Sequence, residues 1–334
     1  MPSLSIAAPT DYQLARDVCS YGYFVLAPNH WDPASRTLYR ILSLREGTTN
    51  SRPVLIAITQ RRTKLNLTLS RAVTASERDI IRAQVTRMLR LDESAQRLAQ
   101  FHSRDPRFKA SGKGRLFRSP TLFEDVIKTV TSCNVQWPGT VTMNRRLCEV
   151  IGSPVSLAGV TAHAFPTAHQ MARARPSTLR SRCRVGYRDT RLVELAKLFT
   201  LPPTKGGIDQ AWLTSDTTSD DALFKYLIKL PGIGPYAAAN IMQLLGRYAK
   251  LPLDTESARH GKHVLGFKGS AAQLAKQVRE HFAPFGIDAF RSYWFELWTH
   301  YEATKGPAHT WQRETIGRTF VNDAAKAMKT KPAR

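Results

Sequence analysis

Residues 220–260 read DDALFKYLIKLPGIGPYAAANIMQLLGRYAKLPLDTESARH. Apolar residues at helical spacing (Leu223, Phe224, Leu227, Ile228) predict a helix over Asp220–Lys229, and Ala238, Ile241, Leu244 and Leu245 predict a second over Pro235–Tyr248. Between them stands Pro231-Gly-Ile-Gly-Pro235, entered from Leu230. Gly232 and Gly234 allow torsions or a close approach that a side chain would block, and Pro235 suits the first turn of a helix, where its missing N–H leaves no bond unmade. A helical hairpin results, with a helix N-terminus at its tip. Free N–H groups there suit a phosphate oxygen, directly or through a bridging monovalent cation, so such a turn grips DNA without reading a base. Asp254, after Pro252, opens a further predicted helix, and Asp-Thr-Glu is by itself an N-cap sequence.

The chain has 334 residues, with 49 Lys and Arg against 26 Asp and Glu and a formal net charge of +23. This balance points to a polyanionic partner, nucleic acid ahead of membrane. No apolar run is long enough to span a bilayer, and Met1–Tyr12 lacks a charged region followed by a hydrophobic run. The expected location is therefore the cytoplasm or nucleoid, or the nucleus in a eukaryotic cell, without secretion. Cys19, Cys133, Cys148 and Cys183 form no closely spaced pair and read as reduced structural thiols. His260 and His263 could share one helix face, but the sequence supplies no cysteine or acidic partner to complete a metal set, so no metal is expected.

The run Leu230-Pro-Gly-Ile-Gly-Pro235, followed by Leu253-Asp254-Thr255, resembles the helix-hairpin-helix, Gly/Pro-rich, Asp-containing superfamily of DNA glycosylases. The resemblance implies that a damaged nucleotide is flipped out of double-stranded DNA and its N-glycosidic bond cut. It implies Leu230, Gly232 and Gly234 at the DNA backbone and Asp254 as the carboxylate beside the sugar, where it stabilises oxocarbenium-like charge and orients or deprotonates water. A helix N-terminus is expected to favour the ionised form of Asp254. Bifunctional relatives carry a lysine just after the hairpin; here the matching residue is Tyr236, which cannot form an imine, so a monofunctional hydrolase without lyase activity is expected. Some relatives carry a four-cysteine iron–sulfur loop after the aspartate. No cysteine follows Cys183, which excludes that cluster, and no cofactor is expected.

Thr131-Ser-Cys-Asn-Val-Gln-Trp137 resembles the segment that fills the gap left by the flipped nucleotide, with Asn134 at the inserting position. Gly186-Tyr187-Arg188 resembles a second element, in which an aromatic wedges beside the orphan base and an arginine bonds it. Capping asparagine and exposed turn are the plain alternatives for these two segments. Phe290, Tyr293, Trp294, Leu297, Trp298 and Tyr301 form one helical stripe, read as core, although the family lines its base pocket here, which makes Tyr236, Tyr293 and Trp294 pocket candidates. The missing lysine resembles the alkylpurine branch, acting on 3-methyladenine or 7-methylguanine, whereas Asn134 with Tyr187 and Arg188 resembles the 8-oxoguanine branch. Alkylated purine is the favoured substrate, 8-oxoguanine the alternative, and a non-catalytic binder of damaged DNA the third reading. A monomer is expected.

The expected fold is α+β, an N-terminal antiparallel β-sheet domain followed by a mainly α-helical domain, divided as residues 1–117, 118–305 and a basic tail 306–334, mobile beyond Asp323. Strands are expected over Tyr21–Ala27, Thr37–Leu44, Val54–Thr59 and Lys64–Ser70, with a turn-rich stretch at Glu46–Pro53. Helices are expected over Thr74–Leu91, behind a Thr-Ala-Ser-Glu capping pattern, and around Ser94–Phe101. Ser103–Arg118, with six cations among glycines, reads as a flexible surface connection, either solvated or touching phosphate. Residues 155–180 read as a loop-rich linker with one short helix, Ala164–Arg173.

Overall fold

A computed structural model describes residues 2–44, 52–157 and 160–312. Five strands form one antiparallel sheet: β1 (Ser3–Ala7), β2 (His30–Asp32), β3 (Thr37–Leu42), β4 (Val54–Arg61) and β5 (Lys64–Leu69), in the order β1-β5-β4-β3-β2. Side-chain alternation fixes the register: Leu67 and Leu69 pair with Ile58 and Ile56, and all four face the core. The strand expected over Tyr21–Ala27 is instead a 3-10 turn, Gly22–Val25. Tyr21, Tyr23, Phe24, Val25 and Leu26 are all buried, so this aromatic run reflects burial on every side and lacks the half-buried alternation of a strand. Most of the turn-rich stretch at 46–53 lies outside the described residues.

Sequence caps set the helix starts. Thr74 and Glu77 form the expected capping box on Ala75–Met88, while Ser94, Thr121 and Ser270 cap Ala95–Arg104, Leu122–Ser132 and Ala271–Phe282. Residues 155–180 contain more structure than expected: a hairpin of β6 (Pro154–Leu157) and β7 (Val160–His163), then short helices Ala168–Ala172 and Pro176–Ser181. Among the described residues no helix is long and apolar enough to cross a membrane.

The basic segment 103–118 is not a solvated connection. Arg104 pairs with Asp288 at 2.6 Å, Arg107 with Asp105 and Glu296, Lys113 with Glu302 at 2.5 Å, Arg115 with Asp11 at 2.5 Å and Arg118 with Asp92 at 2.8 Å. Apart from Asp105, its acidic partners lie outside the segment and most are remote in sequence, so composition alone could not show that the segment straps the sheet region to the C-terminal helices. Residues 306–312, expected to begin a tail, pack instead: Trp311 is buried and its indole N–H donates to Gly306 O at 2.8 Å. The rest of the expected tail, from 313 on, lies outside the described residues.

Two hydrophobic cores do not follow chain order. One joins the sheet and Ala75–Met88 to residues between Leu244 and Trp311; the other is built from residues between Leu122 and Met242, with Ala27. The hairpin's second helix, Pro235–Leu244, crosses from one to the other. Its carbonyl end is held by two arginines from the N-terminal half: Arg90 donates to Gln243 O (2.8 Å) and Leu244 O (3.0 Å), and Arg118 donates to Leu244 O (2.9 Å). Cations at a helix C-terminus satisfy orphan carbonyls and complement the dipole.

Arg90→Ala would leave these buried carbonyls short of donors, with an expected cost of about 2–3 kcal/mol. Denaturant unfolding should show a lower midpoint at unchanged m-value. A wild-type midpoint would mean the clamp is dispensable.

Candidate active site

A cavity of about 610 Å³ opens beside the helix Pro235–Leu244, and it gathers residues from five separate stretches of the chain. Asp254 enters it from the N-cap of the helix Thr255–His263. Its Oδ1 accepts from the N–H groups of Glu256 and Ser257, both at 2.9 Å, and the Ser257 hydroxyl answers by accepting from Asp254 N–H at 2.8 Å. Both backbone donors use Oδ1, which leaves Oδ2 without a backbone partner among the described residues. The cap expected from sequence and a cavity-facing carboxylate are therefore one arrangement.

Asp254 stays accessible to solvent at the cavity surface, yet protein surrounds it on most sides. That desolvation pushes its carboxyl above the ordinary value of 3.8; repulsion from Glu256 adds to the rise, while the Ser257 N–H and the Tyr236 hydroxyl oppose it. The expectation that the helix N-terminus favours ionisation is corrected in net direction: the cap acts as expected but burial outweighs it. Tyr236 lines the same cavity, and burial together with the Asp254 charge raises its phenol well above 10.0, so it remains a neutral hydrogen-bond donor.

Aromatic rings form much of the wall. Tyr293 and Trp294 line the cavity, with Phe290, Leu297 and Tyr301 of the same helix, Ala289–Lys305. The stripe is thus core and wall at once: Tyr293 is buried edge-on to Phe282 at 5.5 Å, and the half-buried Trp294 is fixed by its N–H to Ser20 O at 2.8 Å. Sequence reading missed Tyr21, Trp137, Asn240 and Glu256. Tyr21 packs on Trp294 at 4.7 Å, and its hydroxyl donates to Asn240 Oδ1 at 3.4 Å. Asn240 sits one turn after Tyr236 and donates to Tyr236 O at 3.1 Å. A Cβ on Gly22 would lie 3.0 Å from the Trp137 ring, so the missing side chain makes room for that indole. Glu256 bonds the Tyr301 hydroxyl and Arg259. Its position two residues past Asp254, on the first helical turn, was the available signal; Tyr21 had none, since it arrives from more than 200 residues away.

The remaining candidates meet at the rim. Asn134, Val135 and Gln136 are solvent-exposed and line the cavity. Asn134 holds a left-handed backbone (φ 51°), tolerated by asparagine better than by most residues, and its Nδ2 donates to the Tyr187 hydroxyl at 3.2 Å. Tyr187 is 52% exposed, unusual for an aromatic without an external partner. Arg188 is not free to meet a base in this structure: it is buried and donates to the main-chain oxygens of Val130 (3.2 Å), Val185 (3.1 Å) and Cys133. The planar fork that suits base edges suits clustered carbonyls equally well, and here it braces the Asn134 loop.

At the hairpin, Gly232 has φ 75°, which requires glycine or strain, whereas Gly234 is extended and a Cβ on it would meet nothing within 4 Å. Among the described residues neither glycine's N–H reaches an acceptor. Leu230 packs against the second core. His260, weighed as half of a metal pair, is buried with Nε2 2.8 Å from Glu296, while His263 is exposed. All four cysteines are free thiols.

Sheet, helical body, hairpin and capping aspartate together form a fold shared with solved DNA glycosylases. Among solved structures, the chain is similar to a 3-methyladenine DNA-glycosylase from Archaeoglobus fulgidus (17% identity, TM-score 0.66, covering 89% of this chain and 98% of that one). It is similar to MBOgg1 in complex with a low-affinity DNA ligand (17%, 0.66, 91% and 96%) and to the 8-oxoguanine glycosylase/lyase of Clostridium acetobutylicum (17%, 0.59, 88% and 95%). No family model matches the chain, and no curated protein matches it.

A carboxyl whose folded pKa lies above its unfolded one keeps its proton longer in the folded state, so stability falls as pH rises from the ordinary carboxylate value through the raised one. Asp254→Asn retains a cap acceptor and removes that penalty. Its melting temperature is expected to exceed wild type at neutral pH, with the gap closing as pH falls toward 3.8. A gap independent of pH in parallel melts would place the titration elsewhere.

Proposed function

We propose that this protein is a monofunctional DNA glycosylase that hydrolyses the N-glycosidic bond of a flipped, alkylated purine such as 3-methyladenine or 7-methylguanine. The observation that carries the reading is a carboxylate, Asp254, facing an aromatic-walled cavity in which Tyr236 stands beside it and, among the described residues, no lysine is present. In the reaction the base departs with the bonding electron pair and positive charge grows on the sugar. The Asp254 carboxylate stabilises that charge and takes a proton from the attacking water, whose oxygen bonds C1′. Tyr236, held as a neutral donor, keeps the carboxylate in position and offers no amine to form an imine.

Two carboxylates, Asp254 and Glu256, and the faces of Tyr21, Trp137 and Trp294 border the cavity. Such a lining attracts a cationic base, which N-alkylation creates, through cation–π contact. Double-stranded DNA is the proposed partner, bound by a monomer without cofactor, with the backbone at Leu230–Gly234 meeting phosphate directly or through a monovalent cation. A second reading, 8-oxoguanine excision by the same carboxylate, is favoured by the contact between Asn134 and Tyr187, which suits an orphan-base reader. A third, damage binding without excision, needs only the hairpin and the charge.

A panel of duplexes, each with one lesion, separates the three. Excision of alkylated purine is expected to lead, to yield an abasic site with no borohydride-trapped adduct, and to fall about 10²–10⁴-fold in Asp254→Asn. An unimpaired mutant would remove Asp254 from the chemistry, a trapped adduct would overturn the monofunctional mechanism, and binding without any excision would leave only the third reading.

Tyr187→Ala is expected to lower single-turnover excision about tenfold through the extrusion step, since a wedge offsets unstacking worth a few kcal/mol. A 2-aminopurine beside the lesion should report less extrusion; equal fluorescence would show that Tyr187 does not wedge.

A further inference from the structure

Arg191 connects two elements that the sequence reading treated separately. It lies in the first turn of Asp189–Thr200, and its guanidinium carbon sits 5.6 Å from the centroid of the exposed Tyr187 ring. Its stem reaches the hairpin as well: a Cβ on Gly232 would lie 3.0 Å from Arg191 Cδ and 3.3 Å from its Cβ. The bare Gly232 therefore serves a second purpose beyond its positive φ, since it lets the arginine stem lie against the turn. Arg191 is exposed, and among the described residues no carboxylate or carbonyl accepts from its guanidinium. The neighbouring acid, Asp189, is already taken by Arg180 at 2.8 Å.

The surroundings add charge of one sign. Residues 173–191 contain seven arginines and one acid. Arg173, Arg175, Arg182 and Arg184 are exposed there, whereas Arg188 is turned inward on main-chain oxygens. An unpaired guanidinium held between a helix-hairpin turn and an exposed aromatic offers two or more N–H donors in one plane, the geometry that suits a phosphodiester.

We propose that Arg191 binds a DNA backbone phosphate between the Tyr187 wedge and the Gly232 hairpin, and that it positions the two so that gripping the backbone and filling the gap occur in one register. The proposal rests on the reading of DNA as partner, but not on excision. Arg191 makes no contact with the cavity that holds Asp254 and is a positioning residue.

The test uses the full-length protein and a duplex carrying a tetrahydrofuran abasic analogue, which cannot be excised. Affinity is measured from low to physiological salt for wild type, Arg191→Met, Arg191→Lys and Arg191→Ala. Methionine keeps an apolar stem against Gly232 and removes the charge. Its plot of log affinity against log salt is expected to flatten by about 0.9, with roughly tenfold weaker binding, while lysine keeps the wild-type slope. Equal slope and affinity for wild type and Arg191→Met would overturn the proposal, and so would a loss seen only in alanine, which marks a packing role. A flattened slope in a protein that excises no lesion would sink the glycosylase reading and leave this one standing. Full excision with an unchanged slope would do the reverse.

Discussion

The geometry depends on how one short helix, Pro235–Leu244, is held at its two ends. At the carbonyl end Arg90 and Arg118 supply the donors that the helix cannot supply itself. At the amino end Gly234 gives no side-chain cap, and among the described residues its own N–H reaches no acceptor. Ala238 and Ile241 lie in one core and Leu244 in the other, so the helix cannot shift without disturbing both. Two residues of the cavity lining are then indexed to its turns. Tyr236 comes just inside the N-terminus, and Asn240, one turn later, ties it to Tyr21 from the opposite end of the chain. The distance from hairpin tip to cavity is thereby set by helical rise and not by loop conformation.

The second constraint is an electrostatic compromise around Asp254. A carboxylate surrounded by protein on most sides is costly to hold as a charge without help, and one left fully in water would stabilise a developing cation weakly. Here the help is limited to backbone N–H groups on a single oxygen and a tyrosine hydroxyl, and burial still prevails. Glu256 increases the load on Asp254 while its own charge is met by Arg259 and the Tyr301 hydroxyl. One turn further along the same helix, His260 meets Glu296, which is also held by Arg107 of the basic strap. The strap is thus electrically continuous with the wall of the cavity, which gives its cations a role that net charge alone had assigned to solvent or DNA.

What the sequence could convey follows the range of the interactions. Caps, hairpin and capping aspartate are set within four or five residues, so Thr74 and Asp254 were readable from local pattern. Alternation in Lys64–Leu69 was readable for the same reason. Tyr21–Ala27 was misread because an aromatic, β-branched run reports burial and strand character in the same letters, and only the packing around it distinguishes them. The strap was misread because charge is visible in sequence whereas the partner of a charge is not: Lys113 finds Glu302 across nearly two hundred residues. Arg188 shows a subtler limit. Its place in the pattern was informative, but the same donor fork serves a base edge or three carbonyls, and the loop around Cys133 decides between them.

Four departures from ordinary folding rules lie in one connected place. Asn134 holds a left-handed backbone, Tyr187 leaves an aromatic face in water, Gly234 starts a helix without a cap, and Asp254 keeps an acid where burial opposes its charge. None of these helps the chain fold; the other left-handed non-glycine residues, Arg36, Arg62, Arg90 and Arg184, and the exposed Ile287 stand outside the cavity lining. They are also linked by contact: Asp254 shares its cavity with Asn134, Asn134 bonds Tyr187, Tyr187 stacks near Arg191, and Arg191 lies on Gly232. Isolated exceptions arise by chance, whereas a contiguous chain of them is the pattern expected where function competes with stability. Contact alone, without a relative or a motif, links these residues to one another, and it joins Arg191 to them.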